Sequence, residues 1–521
     1  MKRVLFSASV AALMLNVTSC QNEEITEKQE GQMVTIQAAF GTGTRTTLEE
    51  NGSGYATKWS AGDQIYVADE WGFVSGVLTL VEGEGKSSGT FSGVVSGNPA
   101  ALSYAVFPVP ADGKIGLNTV DASQTDAPMS ASINGLKANF KNECGLVKLT
   151  VYNLPENADI RLSAKDIAGS LLVNAQDGTI LESSATGDEI KIQNAKSGQA
   201  FFVPVLAGDT PSQAEFTLSI NGAKKTFNAK IQKGKVTIDN VPELYMSGNA
   251  FVDLDEEPGT GSDIVIEEIE SAGSDQDQAF EDAVTSEAKE IIVKLKSDVT
   301  YDVAAWASEA MGGAATEKIT IIGNGHTITF NQTNSDWNNI VTNGAILAIY
   351  DAHITNAGYN DGPWNRHDLN FDCDVELTDV VSDKAIALKA GGLLTNVTIN
   401  DKNTSDTYAL WIQPKGQTVT LSGCTIDMID CSDGRGIKID NQYIAEADEK
   451  KVTLNVSNTT FKTEEKSAIL VKTKVGAVIK LDNVDIADVA ADNTNPVWVD
   501  EATASYAELV VVTGGNKIVE P

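Results

Sequence analysis

The sequence predicts an all-β protein, with antiparallel sandwiches in its first half and a right-handed parallel β-helix in its second. Three observations carry this. Among 521 residues there are 44 glycines, aromatics make up only 6%, and helical periodicity is scarce. Up to Leu244 apolar residues alternate in short runs separated by Gly, Asn, Asp and Pro, and a period of two means strands with one face buried and one wet. Beyond Ile264 a unit of apolar, any, Asn/Asp/Gly, any, any, apolar recurs. The chain is too long for one core, so two or three domains are expected.

The first element is a signal. Lys2-Arg3 precedes a 14-residue, largely apolar stretch from Val4 to Val17, which ends in Val17-Thr18-Ser19-Cys20. That stretch is too short to span a bilayer as a mature helix, and small residues before the cysteine suit a peptidase. Residues 1–19 therefore read as a lipoprotein signal peptide, with Cys20 as the lipidated new N-terminus. The other reading is an ordinary secretory signal with a chance cysteine. Since one acyl chain binds a membrane only marginally, several chains, palmitate among them, are needed for a durable anchor in the outer membrane. Residues 20–32 form a polar, acidic tether, Gln21-Asn22-Glu23-Glu24 and onward. It resembles the export tag of Bacteroidetes surface lipoproteins, which implies surface display over a periplasmic fate.

Strands follow at Val34–Ala38, Gln64–Ala68, Gly76–Leu80, Leu146–Val151 and Phe216–Ile220. Asn221-Gly222 is a hairpin turn, because both residues tolerate positive φ. The stretch to Leu244 holds enough strands for two sandwiches, assigned to residues 33–135 and 136–246, with the boundary in the polar passage from Ser130 to Lys141.

The motifs Thr44-Arg45-Thr46-Thr47, Lys58-Trp59-Ser60-Ala61-Gly62-Asp63-Gln64-Ile65-Tyr66-Val67, Phe140-Lys141-Asn142-Glu143-Cys144-Gly145-Leu146-Val147-Lys148-Leu149 and Lys233-Gly234-Lys235-Val236-Thr237-Ile238, in that order after the signal, resemble the fimbrillin-like surface proteins of Bacteroidetes. The resemblance covers residues 33–246. It implies two transthyretin-like β-sandwiches in a lipid-anchored fimbrial precursor or accessory subunit. In polymerising members a protease cuts after an arginine near the first strand, and the emptied groove takes a strand from a neighbouring subunit. Arg45 stands where that cut is expected; a solvent-facing arginine in a strand connection is the plainer reading.

Residues 247–263, rich in Gly and acid, read as a linker. Ser274 then caps a short helix with Asp277 at its third position and an apolar stripe of Ala279, Phe280, Ala283 and Val284. Ile291, Val293 and Leu295 share one strand face. The recurring unit appears at Ile349–Ile354, Leu394–Ile399, Leu421–Ile426, Val456–Phe461 and Leu481–Ile486, spaced 25 to 45 residues apart. Asn, Asp and Gly accept a left-handed backbone, so each unit is a strand, a corner and a strand. Stacked corners make a solenoid from 264 to 521, with loops of unequal length on one side and the helix plugging its first coil. This half resembles the pectate-lyase-like fold. A third antiparallel sandwich is the competing architecture.

Such solenoids often cleave acidic polysaccharides. Lyases need a calcium-binding acidic cluster and a strong base, and glycosidases need carboxylates around one bond. The nearest constellation is Asp430-Cys431-Ser432-Asp433-Gly434-Arg435-Gly436-Ile437-Lys438, which lacks the paired aspartates and the Gly-His-Gly of polygalacturonases. Asp430, Asp433 and Arg435 are thus a weak catalytic alternative to a solvated turn. The insertion Thr355–Asp372 carries Tyr359, Asp361, Trp364, Arg366 and His367, a polar loop with aromatics that suits a sugar ring. Trp337 and Trp411 extend such a platform unless they pack in a coil. Only three histidines are present, two of them in strand patterns. No metal, cofactor or serine triad is expected.

Cys144, Cys373, Cys424 and Cys431 show no paired CxxC spacing, so no zinc site is implied. Cys424 with Cys431 could oxidise outside the cell, but Cys424 lies in an apolar strand, which favours buried thiols. A net charge of -34 repels nucleic acid and excludes it as a partner. Together these readings describe a non-enzymatic, lipid-anchored surface protein, an adhesin or a fimbrial tip or accessory subunit, whose β-helix head meets a glycan or host ligand. The alternative is a surface polysaccharide lyase or hydrolase.

Overall fold

The computed structural model describes residues 31–40, 47–50, 55–123, 127–255, 264–269, 274–303, 310–331, 339–356, 369–400, 408–429, 434–441, 445–463, 467–489 and 495–519. The chain is nearly all β and divides into two compact units, residues 1–115, 126–143 and 170–184 in one and the remainder in the other.

In the first unit seven strands hydrogen-bond in a closed cycle: Gln32–Phe40, Lys137–Asn142, Met129–Asn134, Tyr104–Phe107, Gln64–Ala68, Ser75–Glu82, Ser88–Val95 and back to the first. The alternation of the first strand buries Val34, Ile36 and Ala38. Trp59 centres the core, its ring 4.1 Å from that of Phe40 and 4.8 Å, edge-on, from that of Phe91. The turn after it closes where the Ser60 N–H donates to Asp63 Oδ2 at 2.8 Å, and Gly62 takes the positive φ of 81° that the turn requires. The passage 130–141, expected as a boundary, is a hairpin of this unit, with Ile133 paired to Ala138. A break at residue 135 would cut its turn, and the unit runs on to Glu143.

The second unit opens with a sandwich. One sheet orders Phe201–Val205, Gly145–Tyr152, Glu243–Ser247 and Ala250–Asp253; the other orders Ala223–Ile231, Ser212–Ile220, Ile160–Val173, Leu181–Gln193 and Thr119–Asp121, the two long strands belonging to this unit up to residue 169 and from residue 185. Leu149, Val151, Leu162, Ile192, Phe216 and Leu218 fill the space between them. Asn221 and Gly222 adopt φ of 49° and 92° in the predicted hairpin. The start of the expected linker is itself a strand, since Ala250–Asp253 pairs with Glu243–Ser247.

From Ile264 all ladders are parallel, in a sixteen-stranded sheet and a seven-stranded one that together form the β-helix. Asp351, Asp379, Asn396, Asn458 and Asn483 take φ between 46° and 55°, and Gly423 takes 69°. They stand above one another, because the residues before them pair in register: Tyr350 with Thr378, Thr378 with Thr395, Thr395 with Ser422 and Ser422 with Ser457. Side chains link the corners, Asn396 Nδ2 donating to Asp379 Oδ1 at 3.0 Å and Asn483 Nδ2 to Asn458 Oδ1 at 2.8 Å. Inside, Ile321, Ile349, Leu377, Leu394, Leu421, Val456 and Leu481 form one apolar column. Each such side chain contributes roughly 1.5–3 kcal/mol by leaving water.

The helix Ser274–Val284 lies at the start of the stack and buries Phe280, Ala283 and Val284 in the same core. Two details differ from expectation. Ala279 is exposed, because the stripe is narrower than the sequence suggests. Asp277 turns to the following strand, where its Oδ1 accepts the Thr300 N–H at 2.7 Å.

The sandwich and the solenoid share a core within this unit. Tyr152, Tyr245 and Leu254 pack with Ile292, Ile322, Ala348 and Tyr350. The Tyr152 and Tyr350 rings meet edge-on at 5.2 Å, and the Tyr350 hydroxyl lies 3.0 Å from Ser197 Oγ. Beside them Lys294, almost wholly buried, is ringed by Glu243 at 3.1 Å, Asp255 at 3.5 Å and Glu268 at 3.9 Å. Three carboxylates offset the cost of burying that ammonium.

Candidate functional site

Most residues singled out from the sequence, Cys20, Arg45, Trp337, Tyr359, Asp361, Trp364, Arg366, His367, Asp430 and Asp433, lie outside the described residues. Arg435 is described. It opens the strand Arg435–Asp440 of the seven-stranded sheet, in register with Tyr408, and its guanidinium donates to Ser467 Oγ at 3.0 Å. Three residues on, Lys438 Nζ lies 2.8 Å from Asp440 Oδ2 and 5.6 Å from the Tyr408 ring centroid. Asp440 is buried, Tyr408 is 9% exposed and Trp411 only 4%. The cations on this face are held by neighbours, and Trp411 packs instead of offering a platform. A catalytic base or a sugar-stacking ring needs the opposite, a free face.

Among the described residues no group of three or more His, Cys, Asp or Glu side chains stands close enough to hold a metal. His326 and His353 each sit by a single aspartate, Asp298 at 3.6 Å and Asp383 at 3.9 Å. Cys144, Cys373 and Cys424 are buried and form no disulfide, and Cys431 lies outside the described residues. Burial, helped by Asp372 and Asp374, pushes the Cys373 thiol up to about 12, far from the thiolate that a nucleophile needs.

Two other places have geometry suited to recognition. In the first unit, Gln32–Phe40 is held on both sides, antiparallel to Ser88–Val95 and parallel to Lys137–Asn142, so its removal would bare two strand edges at once. In the second unit a cleft of about 580 Å³ runs over the outer face of the sixteen-stranded sheet, walled by the turns around Asn153–Asn157 and Ala195–Ser197. Its floor carries Glu376 and Leu393 in one row and Thr378, Thr395 and Ser422 in the next. Lys318 Nζ ties the wall to the floor, 2.8 Å from Asn153 Oδ1 and 2.5 Å from Glu376 Oε2. This cleft was not anticipated from the sequence. Its signal was present, however: the three hydroxyls occupy the position just before the corner residue in consecutive units.

No family model matches the chain, and no curated protein matches it. Among solved structures it is similar to a candidate cell adhesion protein from Bacteroides ovatus, at 14% identity over 43% of this chain and 95% of that one, with a TM-score of 0.26. Another from Bacteroides uniformis has 13% identity over 42% and 94%, at 0.26. A third, from Parabacteroides distasonis, has 11% over 42% and 89%, at 0.23.

Proposed function

We propose that this is a lipid-anchored cell-surface protein of the fimbrillin-like kind, an adhesin or fimbrial tip or accessory subunit, in which the β-helix is the displayed head that meets a glycan or host ligand. The observation that carries the reading is the first strand. Gln32–Phe40 begins shortly after the expected anchor at Cys20, completes a barrel by pairing on both sides, and is followed within a few residues by Arg45. A cut after Arg45 would leave that strand held by its ladders alone, and a strand from another subunit could take its place. The surrounding apolar side chains, Trp59 and Phe91 among them, would favour any replacement that restores Val34, Ile36 and Ala38.

Limited trypsinolysis of the full chain tests this. Cleavage confined to Arg45 followed by multimers supports strand replacement, and a chain that stays monomeric after that cut refutes it. The anchor is tested separately: labelled palmitate enters the chain in outer membranes and not its Cys20→Ala variant. A surface polysaccharide lyase or hydrolase is the second reading, and it draws on Arg435, Lys438 and Asp440 sharing one sheet face. Products released from pectin, alginate or glycosaminoglycans with calcium, and lost in Arg435→Ala, would favour it.

A further inference from the structure

We propose that the cleft on the outer face of the sixteen-stranded sheet binds a neutral, unbranched glycan laid along the solenoid axis. This deepens the reading of the β-helix as a glycan-binding head and rests on it. Thr378, Thr395 and Ser422 occupy equivalent places in three consecutive coils. Their spacing is that of adjacent parallel strands, about 4.8 Å, an interval close to the length of one pyranose unit in an extended chain. Among the described residues none of the three side-chain hydroxyls has a protein partner. Thr395 and Ser422 are half-buried on the cleft floor and Thr378, 7% exposed, lies deeper, so the three form an evenly spaced row of donors and acceptors along it.

The second row supplies what a sugar ring needs beside its hydroxyls. Leu393, 39% exposed, presents an apolar patch to the C–H face of a ring. Glu376 next to it is already oriented by Lys318, so accepting a further hydrogen bond requires little ordering. Tyr350, in register with Thr378 and almost wholly buried, closes one end of the row. The volume of about 580 Å³ falls within the usual range of ligand sites, roughly 300–1,000 Å³. Charge selects the class of glycan. Lys318 neutralises Glu376, Lys196 and Glu156 at the rim oppose each other in sign, and the chain's net charge of -34 opposes a polyanion.

The test uses the full chain in a sugar-free detergent, titrated calorimetrically with cellohexaose, xylohexaose and mannohexaose, and with hexagalacturonate as the anionic comparison. At least one neutral hexasaccharide binds with a millimolar dissociation constant. Thr395→Trp, which fills the cleft from its floor, weakens that binding at least tenfold, as does the combined Thr378→Val, Thr395→Val and Ser422→Ala variant, while near-ultraviolet circular dichroism shows both folded. Neutral binding that survives both variants overturns the cleft and leaves a glycan-binding head elsewhere. Preference for hexagalacturonate overturns the choice of glycan class. Absence of binding by all three neutral chains overturns the proposal together with the glycan reading beneath it.

Discussion

Replacing Tyr350 tests whether the second sandwich and the β-helix are one cooperative body. Its ring is 2% exposed, meets Tyr152 edge-on at 5.2 Å and joins Tyr245, Ile292 and Ile322 in a core that both parts share. Tyr350→Phe keeps the ring and removes the contact with Ser197; one net hydrogen bond is worth about 1 kcal/mol. Tyr350→Ala removes the ring as well, and truncating a buried aromatic costs about 3–5 kcal/mol. Gly198 offers an independent probe from the facing turn. It has a φ of 75°, and a Cβ there would strike the Tyr350 ring, so Gly198→Ala strains the backbone and wedges the same contact. Urea unfolding gives the free energies, and calorimetry counts the transitions. The wild-type second unit should melt in one transition, slightly lowered by Tyr350→Phe and split in two by Tyr350→Ala and Gly198→Ala. Separate melting of sandwich and solenoid in the wild type, or equal losses for Phe and Ala, would refute the reasoning.

The same tyrosines make the unit sensitive to alkali. Unfolded phenols ionise near pH 10, whereas burial pushes Tyr350 up to about 12 and raises Tyr152 and Tyr245 as well. The folded state then holds more protons between pH 10 and 12, so its stability, fully present below 10, falls as pH rises through that window; absorbance at 295 nm should show these phenols titrating only with unfolding. At the solenoid corners, Asn396→Ala forces a left-handed φ of 53° on a residue with a Cβ and loses the bond to Asp379, for about 1–2 kcal/mol, while Asn396→Gly costs less; equal urea midpoints for the two variants would contradict the corner argument. Cys144, Cys373 and Cys424 should resist a thiol reagent in native protein and react on denaturation, and rapid native labelling at any of them, mapped by mass spectrometry, would contradict their burial.

The strands and corners were legible because their physics is local. Val34, Ile36 and Ala38 alternate, and Asn396, Asn458 and Asn483 occupy a backbone region that few residues accept. Asp379 escaped the pattern for an equally local reason: its unit, Leu377-Thr378-Asp379-Val380-Val381-Ser382, ends in serine where the others end in an apolar residue. The hairpin 129–142 looked like a boundary because its exposed residues, Leu136 and Gly135 apart, are polar, while its pairing partners lie elsewhere in the chain. The shared tyrosine core was hidden for a stronger reason. Tyr152, Tyr245 and Tyr350 are far apart in sequence, and nothing in their neighbours announces that they meet. Of the candidate site residues, Trp411 packs against Tyr408 and Arg435 is tied to Ser467, and these contacts, like the pairing of Lys438 with Asp440, depend on coil geometry that composition does not encode.

The one-residue corner also governs where the β-helix can change. From Tyr350 onward the connection across the corner is fixed at one or two residues, while the connection leading from the corner strand to the seven-stranded sheet runs from three residues, 383–385, to twelve, 357–368. Insertions and deletions on that side leave the apolar columns and their register untouched. The scaffold therefore separates inheritance of the stack from variation of its loops, which could be exchanged coil by coil without a new fold.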